Sequence, residues 1–229
     1  GKMSWEFMEE IFQDKEFHDT IYVTSNPFAT RLSEDTFFKT LYLIDEWDDE
    51  IGTVHPEDVV EATTEVHEKY PNKRLILHFM QPHRPYLGPT AEELRNRVNL
   101  IGYRNQGDGL QIWGAVKEGK VSIDEVRSAY AESLDIVLDV IQEFHQDING
   151  KSVITSDHGE MLGERVFPFT SRVWGHSEEF STPTLREVPW LEMNVDTRRK
   201  VVSSAPVNDK ESLNEEAVEK RLEALGYTE

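Results

Sequence analysis

Hydrophobic positions along the chain fall into two periods. In residues 4–14, Trp5, Met8, Ile11 and Phe12 recur at helical spacing, which predicts an amphipathic helix. Residues 20–25 are rich in β-branched side chains and end at Asn26-Pro27, the pattern of a strand. Residues 56–70 begin with a proline at a first-turn position and stop at Pro71-Asn72, which predicts a second helix. The short apolar run 74–80 reads as a buried strand. The longest helix is expected over 122–146. Ser122 would cap it, Glu125 lies three residues on, and Val126, Tyr130, Leu134, Val137, Leu138 and Ile141 form its apolar stripe. Asn149-Gly150 ends it, and 151–156 is the next strand. Residues 157–187 read as mostly loop, and 188–193 and 199–204 as late strands. After a linker near 205–212, residues 214–225 form a terminal helix closed by Gly226.

Strands that alternate with helices predict an α/β fold with a sheet covered on both faces. The reading divides the chain into an α/β domain over 1–204 and a C-terminal linker and helix over 205–229. Ligands of such sheets bind outside the carboxyl ends of the strands. Two loops leave those ends here, one after residue 80 and one after residue 156. The stretch 101–120, with five glycines, reads as a mobile connection near the pocket mouth.

Composition narrows the classes. The 229 residues carry 44 Asp plus Glu against 24 Lys plus Arg, a formal charge of −20. The acidity is dispersed, so it reads as a solvated face. It disfavours nucleic acid as a partner and fits folding in high salt, which points to a halophilic source. The run Asp45, Glu46, Asp48, Asp49, Glu50 is read the same way rather than as a cation site. The absence of cysteine excludes disulfides, thiolate metal sites and a cysteine nucleophile. No apolar signal core or membrane-spanning window is present, so the chain reads as soluble and cytoplasmic. Trp113, Trp174 and Trp190 read as core or loop anchors, and His18, His55, His67 and His145 show no partner pattern.

The strongest chemical signal is Asp157-His158-Gly159-Glu160, directly after a strand, with Gly175-His176 returning from the next loop. A carboxylate and imidazoles supply ligands for a Zn- or Mn-type ion, and an oxygen-rich variant would suit Ca or Mg. Gly159 would let the chain turn sharply around the ion. The plainer alternative is a capped turn at Asp157 and His158 with a surface histidine at 176. A second signal, Gln81-Pro82-His83-Arg84-Pro85-Tyr86, presents His83, Arg84 and Tyr86, which can bind an anionic ester or protonate a leaving group. Its alternative is a rigid structural loop.

Taken in order, these segments resemble the sulfatase-like branch of the alkaline-phosphatase superfamily, in a haloarchaeal-type member. The run from Val153 through Glu164 is similar to that family's metal-binding segment. Gly175-His176, then Val188-Pro189-Trp190, is similar to the family's next segments in chain order, and His78 through Tyr86 resembles its strand and substrate-facing histidine loop. Thr24-Ser25-Asn26-Pro27 resembles its second parallel unit, and Leu222 through Tyr227 resembles the C-terminal helix ending of archaeal members. The resemblance spans roughly residues 18–229. It implies a three-layer α/β sandwich, with a mostly parallel central sheet flanked by helices and truncated at its N-terminus. It also implies a divalent ion (Ca, Mg, Mn or Zn) held by Asp157, His158 and His176, with His176 alternatively contacting the phosphate or sulfate. His83 would contact the transferred group or protonate the leaving oxygen, and Arg84 would help bind substrate. The implied substrate is a sulfate or phosphate ester, a glycan among the candidates. His176 in place of Lys leans towards the phospho-type or archaeal branch.

One part of the family pattern is absent. No Cys/Ser-x-Pro-x-Arg run exists, since Ser181-Thr182-Pro183-Thr184 is followed by Leu185, with Arg186 one place late. The expectation is therefore a chain without its nucleophile, completed by an N-terminal segment. The alternatives are an inactive sulfatase-like fragment, an interaction module, or a protein whose missing part comes from a separate chain. A homo-oligomer is left open.

Overall fold

A computed structural model describes residues 1–100, 110–176, 179–193, 198–207 and 215–225. In chain order it contains helix α1 (Ser4–Phe12), strand β1 (Phe17–Thr24), a 3-10 turn (Pro27–Arg31), β2 (Phe37–Tyr42), and two short strands β3 (Trp47–Asp48) and β4 (Thr53–Val54). Next come α2 (Pro56–Lys69), β5 (Arg74–His78), α3 (Pro89–Arg97), α4 (Ile112–Lys117) and α5 (Ile123–Asp147). The remainder comprises β6 (Ser152–Thr155), β7 (Met161–Arg165), β8 (Arg172–Gly175), α6 (Pro183–Arg186), β9 (Trp190–Met193) and α7 (Glu215–Ala224). The protein is a mixed α/β fold.

Its organising element is a parallel sheet in the order β2-β1-β5. Strand β1 lies in the centre and is buried from Thr20 onward. Ile21 and Val23 pack with Val59 and Val66 of α2, while Tyr22 packs with Met8 and Phe12 of α1. Successive side chains of a strand point to opposite faces, so these two sets show that β1 is covered on both sides. Each such side chain contributes about 1.5–3 kcal/mol by leaving water. A second core forms where α5 packs on α3, with Val126 and Ala129 against Ala91 and Leu94. Helix α5 starts as its sequence predicts. Ser122 Oγ accepts from Glu125 N at 3.2 Å, and Glu125 Oε2 accepts from Ser122 N at 2.7 Å.

The structure departs from the sequence reading in several places. The buried stripe of α1 is Ser4, Met8 and Phe12, and Ile11 is 42% exposed. Strand β2 was not anticipated, because Lys39-Thr40 interrupts its apolar pattern; pairing with β1 makes it a strand. Residues 157–187 hold the antiparallel hairpin β7–β8 and the short α6. The strand expected at 151–156 pairs antiparallel with β9, not with the parallel sheet, among the described residues.

No strand forms at 199–204. That segment is instead tied down by Lys73, whose Nζ donates to Val202 O at 3.0 Å and to Ser204 Oγ at 2.7 Å. Trp190 is 67% exposed and its Nε1 donates to Glu192 Oε1 at 3.3 Å, whereas Trp113 and Trp174 stack at 5.8 Å. Part of the acidic run has local partners: Asp48 Oδ2 lies 3.0 Å from His55 Nε2, and Asp49 pairs with Lys220 and Arg221 of α7. The described part of 101–120 includes α4, while 101–109 and Gly226 lie outside the described residues. No helix among the described residues is long and apolar enough to cross a membrane.

Candidate active site

The carboxyl ends of β1, β5 and β6 meet loops that carry polar side chains. Asp157, two residues past β6, is the hub. Its Oδ1 accepts from His158 N at 2.9 Å, and its Oδ2 accepts from Ser4 Oγ at 2.7 Å. The same Oδ2 lies 3.5 Å from His158 Nε2 and 3.7 Å from His78 Nε2. Burial opposes ionisation of this carboxyl. The His78 side chain, then the neighbouring His158 imidazole and the Ser4 hydroxyl, outweigh burial and hold Asp157 far below the usual carboxylate range.

Three histidines gather beside it. The rings of His158 and His176 lie 4.4 Å apart, and those of His83 and His176 lie 5.4 Å apart. Hairpin pairing explains part of this: Met161 opposes Gly175, which sets Glu160 against His176. All three rings are anchored alike. His158 Nδ1 bonds Gly159 O at 2.8 Å, His176 Nδ1 bonds Glu160 Oε2 at 3.0 Å, and His83 Nδ1 bonds Arg84 O. Carbonyl and carboxylate oxygens only accept, so Nδ1 carries the proton in each case and Nε2 is the lone-pair nitrogen of the neutral ring. Burial, and then the neighbouring Arg84 charge, push His83 down to about 3, so it is neutral at physiological pH. It offers a lone pair there rather than the leaving-group proton expected from sequence. Glu160 is held below its ordinary range: burial raises it, but the His176 hydrogen bond and the charges around it win.

One contact tests whether a cation fits. With the Nδ1 proton of His158 committed to Gly159 O, its Nε2 faces the Asp157 carboxylate across 3.5 Å. Without a proton on Nε2, two acceptors face each other and repel. A proton on Nε2 relieves that contact, and so does a divalent cation between the groups. The donor chemistry, one carboxylate with several imidazoles, suits a Zn- or Mn-type ion better than Ca or Mg. As the side chains stand, no three or more His, Asp or Glu residues form a ready-made ion cage among the described residues.

Of the residues singled out from sequence, Asp157, His158, His176 and His83 come together. Arg84 takes part through its backbone carbonyl, which accepts from His83, while its side-chain Nη1 donates to Gln111 Oε1 at the start of α4. Gly159 has a different role from the one expected. Its backbone is not left-handed; instead, a Cβ there would sit 1.9 Å from Thr184 O, while Gly159 N donates to Leu185 O at 2.8 Å. The glycine permits close approach of α6, not a turn around an ion.

Sequence reading missed Ser4, Tyr22, His78 and Glu160 as site residues. Ser4 is 7% exposed, opens α1 and caps nothing, because Met3 holds the cap position. Its Oγ also lies 3.3 Å from His158 Nε2. The available signal was the i, i+4, i+8 series Ser4, Met8, Phe12, which places the hydroxyl on the buried face. Comparison with family models, with curated proteins and with solved structures finds no match in any of the three.

Proposed function

We propose that this chain is a metal-dependent hydrolase or transferase of sulfate or phosphate esters, on an alkaline-phosphatase-like three-layer arrangement, with Ser4 as the acceptor of the transferred group. The observation that carries this reading is a buried serine hydroxyl that touches Asp157 and His158, with the His176 ring against His158 and the His83 ring against His176. The ordered sequence resemblance rests on the same Asp157, His158, His176 and His83, and where it led to the expectation of a nucleophile outside the chain, Ser4 is proposed instead. Asp157, His158 and His176 would hold the ion, which when bound polarises the transferred group.

The chain's own residues account for the rest. Ser4 stands at the first turn of a helix, where backbone N–H groups favour an anionic group. As its Oγ bonds to sulfur or phosphorus, the ester oxygen departs. The serine proton passes to Asp157 Oδ2, the acceptor it touches at 2.7 Å. His83 is neutral and serves as an acceptor. His176 keeps its Nδ1 proton on Glu160 and its other nitrogen for the ion, so the leaving oxygen takes its proton from water. Water attacking the seryl ester completes hydrolysis, and an alcohol in its place gives transfer.

The test is turnover of p-nitrophenyl phosphate and p-nitrophenyl sulfate with Mn, Zn, Ca or Mg, in wild type and Ser4→Ala, with intact mass reporting a serine adduct. Turnover with one of the ions, lost in Ser4→Ala, supports the reading. Wild-type turnover unchanged in Ser4→Ala removes the serine from the mechanism. No turnover and no ion binding leave the interaction-module reading.

A further inference from the structure

Behind Asp157 lies a polar pair that the proposed chemistry does not use. Tyr22 is fully buried on the α1 face of the sheet, with ring centroids 4.9 Å from Phe37 and 5.7 Å from Phe12. An apolar stack of this kind could hold phenylalanine equally well, yet Tyr22 carries a hydroxyl that reaches His78 Nδ1 at 2.6 Å. The contact arises from sheet register. Thr24 pairs with His78 and Tyr22 with Ile76, so Tyr22 and His78 are diagonal neighbours on one face of adjacent parallel strands. The histidine backbone is fixed as well, its carbonyl accepting from Ser25 N at 3.1 Å and Ser25 Oγ at 3.1 Å.

Burial raises the phenol's pKa, so Tyr22 keeps its proton and can donate it to Nδ1. A neutral imidazole accepts at Nδ1 only if its proton sits on Nε2. That nitrogen faces Asp157 Oδ2 at 3.7 Å. With the phenol donating, His78 takes the opposite tautomer to His83, His158 and His176, all three of which are anchored through Nδ1. Among four clustered rings, it is the one that turns an N–H towards the carboxylate.

We propose that Tyr22 and His78 are a positioning pair: the tyrosine hydroxyl fixes the histidine tautomer, and the histidine N–H, 3.7 Å from Asp157 Oδ2, draws the carboxylate by electrostatic attraction towards the orientation that receives Ser4. The inference rests on the proposed function only for what Asp157 then does. Groups behind a functional carboxylate orient it, and their loss costs about 10–100-fold in ion affinity or activity.

Long-range ¹H–¹⁵N spectra of the full chain at mildly alkaline pH read the tautomer directly, with His78→Gln assigning the signal. Wild type should show the Nε2–H form at His78, and Tyr22→Phe, which keeps the aromatic stack, should show a mixture or the Nδ1–H form. On p-nitrophenyl phosphate or sulfate, Tyr22→Phe should lower kcat about 10-fold with KM changed far less. His78→Gln retains an N–H donor and should rescue most of the activity lost in His78→Phe. An unchanged tautomer in Tyr22→Phe, or equal activity in the Gln and Phe variants, overturns the pair. If wild type hydrolyses neither ester, the hydrolase reading fails. The tautomer then decides alone, and an Nδ1–H signal at His78 in wild type sinks the inference.

Discussion

Ser4 Oγ donates to Asp157 Oδ2 across 2.7 Å, although the two residues stand 153 positions apart. The contact joins the first helix to the loop beyond β6, and it sets a hydroxyl against an ionised carboxylate in a buried setting. A serine that only packed would be replaceable by alanine at the cost of one hydrogen bond to a charged group, about 1.5–3 kcal/mol. As the group-accepting hydroxyl, its loss should cost on the order of 10³-fold in kcat. Ser4→Ala should therefore remain folded, with a modest fall in melting temperature and activity nearly abolished. Activity that falls only as far as the folded fraction would mean that the residue acts through folding alone.

His83 predicts a pH dependence of stability. Its ordinary pKa is near 6.5, and in the fold it is pushed down to about 3. Between those values the unfolded chain binds a proton that the folded chain refuses, so stability rises with pH across that window and falls as pH drops through it. Urea midpoints over this range should decline less steeply in His83→Asn than in wild type. Identical slopes would place the ring in a more polar setting than the one described.

The capping box of α5 titrates with the opposite sense. Glu125 is held down to about 2, first by the Ser122 backbone N–H and then by Arg97. Its contribution is fully present above the ordinary carboxylate pKa, near 4.3, and is lost as pH falls towards about 2. At neutral pH, Glu125→Ala should cost about 1 kcal/mol, or roughly 2–4 °C in melting temperature. A melting temperature unchanged from wild type would show that tertiary packing alone holds that end.

Gly159→Ala should be damaging because of space, not backbone strain. The added carbon would meet Thr184 O at 1.9 Å, and backbone on both sides has little room to give. A loss of at least about 1–3 kcal/mol is expected, together with weaker ion binding as the neighbouring His158 shifts. Calorimetric unfolding of the variant checks this, and near-native stability would contradict the tight approach of α6.

How much was legible in the sequence depends on the range of the interactions involved. The α5 cap is local: Ser122 and Glu125 satisfy each other three residues apart, and spacing alone revealed it. Asp157 and His158 were legible because they are adjacent and come just after a strand, and His83 because it comes just after another. Ser4, Tyr22 and His78 were not, since each gains its meaning from a partner at 153, 56 or 53 positions' distance. Tyr22 and His78 also sit inside apolar strands, where a lone polar side chain reads as packing until sheet register shows what it faces. Strand β2 escaped for a related reason. Its identity depends on pairing with β1, and Lys39-Thr40 broke the run that a buried strand would show. Ile11 was counted as core because helical spacing places it near the stripe, but only Ser4, Met8 and Phe12 are buried.

The most direct test of the central claim is a calorimetric titration of Mn or Zn ions into wild type, Asp157→Asn and His158→Ala, repeated in buffers of different ionisation enthalpy. The account predicts one ion per chain in wild type, proton release on binding, and affinity at least about 10-fold weaker in each variant. No binding by wild type, or equal affinity in all three proteins, would contradict it.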